Sequence, residues 1–155
     1  GQFNVSRAIT KHLASKQLPK AYVDYMTNYY AKMIVRDGKD MNYLAVCELI
    51  DRIPEGGEAV WTGEKSAAKG LRTVEGTDLK AIAALVRPEL GTLDKDAQKR
   101  AYKLITAINP SVTFKSIRNK KTKTRTDSYT VKPNSVVLIP EFKALTSKKF
   151  PDKKL

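Results

Sequence analysis

Six cationic side chains crowd eleven residues of this chain: Lys115, Arg118, Lys120, Lys121, Lys123 and Arg125, with no acidic residue among them. Asn119, Thr122 and Thr124 stand between them and Thr126 follows. Like charges at this density repel, and a strand pair carrying them is destabilised unless an anion compensates. Phosphate supplies that compensation. Each phosphate contacted by lysine or arginine releases condensed counterions, so binding of this kind weakens steeply with salt. Threonine and asparagine add neutral donors for phosphate oxygens. An inert, solvated loop of the same composition would bind nothing, which makes salt-dependent capture of a polyanion the discriminating property.

The charge of the whole chain points the same way. The 155 residues carry 29 Lys and Arg against 16 Asp and Glu, a formal net charge of +13. Residues 111–155 hold 12 of the basic and 3 of the acidic residues, so +9 of the surplus sits in less than a third of the chain. A concentrated positive field captures polyanions, nucleic acid ahead of anionic lipid or an acidic protein. Hydrophobic residues make up 41%, enough at this length for a continuous core without a metal or disulfide staple. Mean hydropathy is −0.43 and no run of about 18 apolar residues occurs, so no transmembrane segment is expected. Arg7, Lys11 and His12 interrupt the apolar positions near the start, and no secretory signal is expected there. The single cysteine, Cys47, cannot form an internal bridge. That fits a reducing compartment, and an intracellular location, cytoplasmic or nucleoid or nuclear, is the expectation.

Stepping from the basic cluster to what must hold it, the apolar spacing predicts five helices before residue 111. The first, over 5–16, is marked by Val5, Ile9 and Leu13. Pro19 opens the second, to about Arg36, with Tyr22, Tyr25, Met26, Tyr29 and Met33 as its stripe and Gly38 as its stop. Asp40 is the expected cap of the third, with Met41, Leu44, Ala45, Leu49 and Ile53 on one face. Glu58–Thr62 reads as a short strand, and Gly63 to Gly76 as a loop. Thr77 caps a fourth helix through Leu79, Ile82, Ala83 and Val86; Thr92 or Asp94 starts a fifth through Ala97, Ala101, Leu104, Ile105 and Ile108. The pattern then switches to alternation at Val112–Ile117 and Ser128–Val131 around the cationic middle, which predicts a hairpin. Val136–Ile139 reads as a further strand, and a short helix near 141–146 leads to a basic tail.

From residue 41 the order helix, strand, helix, helix, strand, basic loop, strand resembles a winged-helix DNA-binding domain in topology, with no sequence motif behind it. The expected fold class is therefore α+β: a helical N-terminal region (1–38) that packs on the domain or pairs two chains, a winged-helix-like domain (39–146), and a basic tail (147–155). The resemblance implies that the fifth helix is presented to the major groove through Lys95, Gln98, Lys99, Arg100 and Lys103. The hairpin cations would then grip the backbone as the wing. A generic α+β domain with an amphipathic fifth helix is the competing reading.

Other motifs carry less. Gly63–Gly70 lacks the G-x-x-x-x-G-K-[ST] order of a phosphate-binding loop, although Lys65, Lys69 and Arg72 could touch phosphates. One histidine, His12, and one cysteine cannot build a zinc site of several N or S ligands. Asp127 with Glu141-Phe142-Lys143 has the composition of a magnesium-dependent nuclease site, where carboxylates hold the metal and lysine steadies water. The second-helix tyrosines fit a core or a homodimer seam better than a base-stacking platform. The sequence thus predicts a non-enzymatic protein of double-stranded DNA, with no cofactor and no metal. An RNA-binding ribonucleoprotein component, a magnesium-dependent nuclease and a peripheral protein of anionic membranes are the alternatives.

Overall fold

A computed structural model describes residues 5–35, 42–64 and 70–147. Helices α1 (Val5–Ala14) and α2 (Lys20–Val35) pack on each other and on α3 (Tyr43–Asp51). Strands β1 (Glu58–Thr62) and β2 (Arg72–Val74) follow, then α4 (Leu79–Val86), a 3-10 turn (Pro88–Thr92) and α5 (Lys95–Ile108). The C-terminal third holds β3 (Val112–Asn119), β4 (Thr124–Val131), β5 (Ser135–Ile139) and the short α6 (Phe142–Leu145). The chain is a mixed α+β protein. Among the described residues no helix is long and apolar enough to cross a membrane.

Aspartate and asparagine side chains set the helix starts. Asn42 Oδ1 accepts from Ala45 N at 2.8 Å, Asp78 from Lys80 N at 3.0 Å and Asp94 from Ala97 N at 2.8 Å, each satisfying an otherwise orphaned first-turn donor. Asp78, not Thr77, therefore caps α4. Thr92 instead turns its hydroxyl onto Glu89 O, at 2.6 Å, inside the 3-10 turn that lengthens the connection between α4 and α5. The expected cap Asp40, the stop Gly38 and Met41 lie outside the described residues, as do Lys65, Lys69 and the tail from 148.

The expected face of α3 is a correction. Ile53 is buried as expected, but within the helix Val46 and Ile50 are the buried residues, whereas Leu44 is 72% exposed. Residues 43–50 are apolar nearly all the way round, so two stripes compete, and the one that meets α1 and α2 wins. A second correction falls in the 63–76 segment, where β2 lies parallel to β1 with Val60 opposite Arg72 and Thr62 opposite Val74. Only Val74 of its three residues is buried, so no alternation announced it.

β1 also pairs antiparallel with β5, giving the sheet order β2-β1-β5, while β3 and β4 form a separate two-stranded sheet. All five residues of β5 are buried, and its outer edge is closed by a side chain. Asn109 Nδ2 donates to Leu138 O and its Oδ1 accepts from Leu138 N, both at 2.9 Å, as a neighbouring strand would. The amide also donates to Ile105 O at 2.8 Å and so ends α5 against the sheet. Tyr22, fully buried, donates its hydroxyl to Ile108 O at 2.6 Å from the other side. Ile9, Leu13, Tyr22, Met26 and Tyr30 thus belong to the same cluster as Ile82, Leu104, Ile105 and Val137. Most of the tyrosine stripe of α2 is spent on that core, and Tyr29 alone of its four is exposed, at 40%.

Candidate nucleic-acid interface

The β3–β4 hairpin is built as an arm. Its strands have eight residues each, a length of about 26 Å at 3.3 Å per residue. Beyond Val112 every residue of β3 is exposed, and β4 buries only Tyr129 and Val131. The base is held by backbone hydrogen bonds of 2.8 Å, Val131 N to Thr77 O and Lys132 N to Ser111 O. Beneath it the buried Thr62 hydroxyl donates to Lys132 O at 2.9 Å, fixing the return into β5. At the tip Asn119 Oδ1 accepts from Lys121 N at 2.9 Å, and Lys123 adopts φ 57° to close the turn. The sequence-specific part of this arm is its turn chemistry; its charge is superimposed.

Register decides where each cation lies. Alternation puts Phe114, Ser116 and Arg118 on one face with their partners Tyr129, Asp127 and Arg125. The other face carries Thr113, Lys115, Ile117 and Asn119 against Thr130, Ser128, Thr126 and Thr124. Arg118 and Arg125 stand directly opposite each other, a repulsive pair. Lys120, Lys121 and Lys123 occupy the tip. Among the described residues no carboxylate is ion-paired with any of these six; ion pairs lie elsewhere, among them His12–Asp51, Lys20–Asp24, Arg87–Glu89 and Lys143–Glu141.

The aromatic face turns toward α5. Tyr129 lies 5.5 Å, centre to centre, from Tyr102 and 5.0 Å from Phe114. Above this contact the hairpin and α5 part, leaving a cleft of about 500 Å³. Lys95, Gln98 and Lys99 line it from α5, Arg125 and Asp127 from β4, and Lys80 from α4. Tyr102 and Tyr129 form its inner wall. Burial raises the phenol pKa of both; Asp78 adds to the rise at Tyr102, and Asp127 then Tyr102 add to it at Tyr129. Both phenols therefore stay neutral at physiological pH. Asp127 accepts from Ser116 Oγ at 2.7 Å.

The cations expected to act are thus divided among three places. Lys95, Lys99 and Arg125 share the cleft, and Gln98 borders it with its amide nitrogen committed to Leu90 O at 3.1 Å. Lys103 continues the exposed stripe Lys95–Lys99 by one turn. Arg100 is half-buried and, with 3.6 residues per turn, falls on the side of α5 away from the cleft. Lys115, Arg118 and the tip lysines decorate the arm outside it. Sequence reasoning missed Lys80, Tyr102 and Tyr129. Tyr102 and Tyr129 could have been found from their periodicity, while Lys80 has no local signal because α4 meets the hairpin only through the chain's return.

Asp127 and Glu141, joined above as a metal-site composition, do not come together. β4 and β5 belong to different sheets, and the two carboxylates line separate clefts, Glu141 beside Lys16, Asp51 and Gly56.

No family model, curated protein or solved structure matches this chain.

Proposed function

We propose that this protein binds nucleic acid, duplex DNA foremost, through the β3–β4 arm and the exposed Lys95–Lys99–Lys103 stripe of α5, without chemistry of its own. The observation that carries the reading is the arm itself: six cations on a projecting ribbon, none ion-paired among the described residues. Their mutual repulsion is relieved when a phosphodiester chain runs beside them, and the displaced counterions supply the driving force. A winged-helix mode, with α5 toward the major groove and the arm as the wing, is supported by the order α3, β1, α4, α5, β3, β4, into which β2 is inserted. In that mode Arg100, half-buried on the far side of the cleft, contributes to packing rather than to contact.

A second reading is favoured by one side chain. Phe114, 47% exposed and tilted at 42° against Tyr129, offers a ring on which an unpaired base could lie, as in RNA or single-strand recognition. Titrating the protein with duplex DNA, hairpin RNA and a single strand, each at two salt concentrations, ranks the readings. Duplex DNA binding tightest, with a steep loss of affinity on adding salt, is the expected result. Equal and salt-insensitive binding to all three would end both.

A further inference from the structure

We infer that the cleft between α5 and β4 seats a phosphate monoester, the phosphorylated end of a strand or of a mononucleotide. This rests on the nucleic-acid reading and adds a ligand chemistry to one part of that surface. Lys80, Lys95, Lys99 and Arg125 reach the cleft from three elements, against the single carboxylate of Asp127. Asp78, whose charge reaches Tyr102 at the back, offsets one more, which leaves a surplus of two around the cleft. A backbone phosphodiester brings one negative charge, and the cations of the open arm already answer it. A terminal monoester brings about 1.5 to 2, with three strong acceptor oxygens, and matches a concave cluster better.

The shape agrees with the charge. About 500 Å³ lies within the range of small-ligand clefts, roughly 300–1,000 Å³. The arm's tip is open, whereas this space is walled by α5 and β4 and backed by Tyr102 and Tyr129, both under 10% exposed. Neutral phenols at the back repel no anion. Asp127, one oxygen already accepting from Ser116, keeps acceptor capacity for a sugar hydroxyl or base amine, a group that a bare inorganic anion lacks.

The test compares one single-stranded oligonucleotide in 5′-phosphorylated, 3′-phosphorylated and unphosphorylated forms, with adenosine 5′-monophosphate as competitor, by fluorescence anisotropy at fixed salt. At least one phosphorylated form should bind five-fold or more tightly than the unphosphorylated one. That preference should fall below two-fold in Lys99→Gln/Arg125→Gln and in Lys80→Gln/Lys95→Gln. Lys120→Ala/Lys121→Ala should weaken all forms alike and keep the preference. Competition by the mononucleotide identifies a site that also takes free nucleotide; no competition identifies one reserved for strand ends, and either is a form of the proposal. Equal binding of all three oligonucleotides overturns the cleft proposal while leaving the nucleic-acid reading intact, as does a preference that survives both cleft variants. Failure of every oligonucleotide to bind overturns both.

Discussion

Two buried polar side chains do more for this fold than their size suggests. Asn109 offers both halves of its amide to Leu138 and a further donor bond to Ile105 O. Asn109→Ala leaves the buried N–H and C=O of Leu138 without partners, at about 1–3 kcal/mol for each group. The variant should therefore lose about 3 kcal/mol in urea unfolding, with an unchanged m-value; a loss below 1 kcal/mol would show that water or the backbone replaces the amide. Tyr22 makes a pH-dependent contribution. Burial first, then Tyr30 and Tyr25, raise its pKa well above the ordinary 10.0, and burial with Tyr29 does the same for Tyr30. Above pH 10 the unfolded chain sheds phenolic protons that the folded chain retains, so stability is full below that pH and falls as pH rises, by up to about 1.4 kcal/mol per unit for each group. Tyr22→Phe should cost about 1–2 kcal/mol at pH 7 through the lost bond to Ile108 O. Its deficit against wild type should shrink between pH 10 and 11, since lysine titration is common to both proteins. A deficit of constant size across that interval contradicts the linkage.

At the scale of elements, binding and stability pull against each other in the arm. Arg118 opposite Arg125, with lysines at the tip, costs the free hairpin repulsion that neutral pairs would avoid. Lys120→Ala/Lys121→Ala should reduce the slope of log affinity against log salt by about two, lower affinity for every sequence alike, and leave the melting temperature equal or higher. An unchanged slope would mean that the tip lysines do not meet phosphate. The arm was legible in advance because alternation flanks a cationic turn and both features are local. The helices were legible for the same reason, and α4 buries Leu79, Ile82, Ala83 and Val86 as its spacing predicted. What escaped was pairing. β2 is three residues with one buried, and nothing near 135–139 says that β5 joins β1, more than 70 residues earlier, rather than the adjacent hairpin. The cleft escaped with it: Lys80, Lys99 and Arg125 are remote in sequence and meet only once α4, α5 and β4 are placed. Asn109 was readable as a helix stop, but its bonds to Leu138 were not.

For the whole molecule, the question is whether charge and core can be separated by cutting the chain. Most of the positive surplus, +9 of +13, lies after residue 110, which invites a fragment that begins at residue 42 and keeps every cation of the proposed interface. The core does not divide there. Ile9, Leu13, Tyr22 and Met26 are all 0% exposed and pack in one cluster with α4, α5 and β5. Emptying one such site costs about 2–5 kcal/mol, and four together match or exceed the 5–15 kcal/mol that holds an ordinary domain folded. Loss of α2 also leaves Ile108 O, at the foot of α5, without its tyrosine partner. Residues 42–147 alone should therefore show helical far-UV dichroism without a cooperative melt, with collapsed amide dispersion. The fragment should still capture DNA weakly, through charge, but lose the discrimination between phosphorylated and unphosphorylated ends, because the cleft needs α4, α5 and β4 in register while the arm's charge does not. A fragment that melts cooperatively and keeps the dispersion of the full chain would make α1 and α2 an appendage. Its binding preferences would then report on the interface rather than on folding.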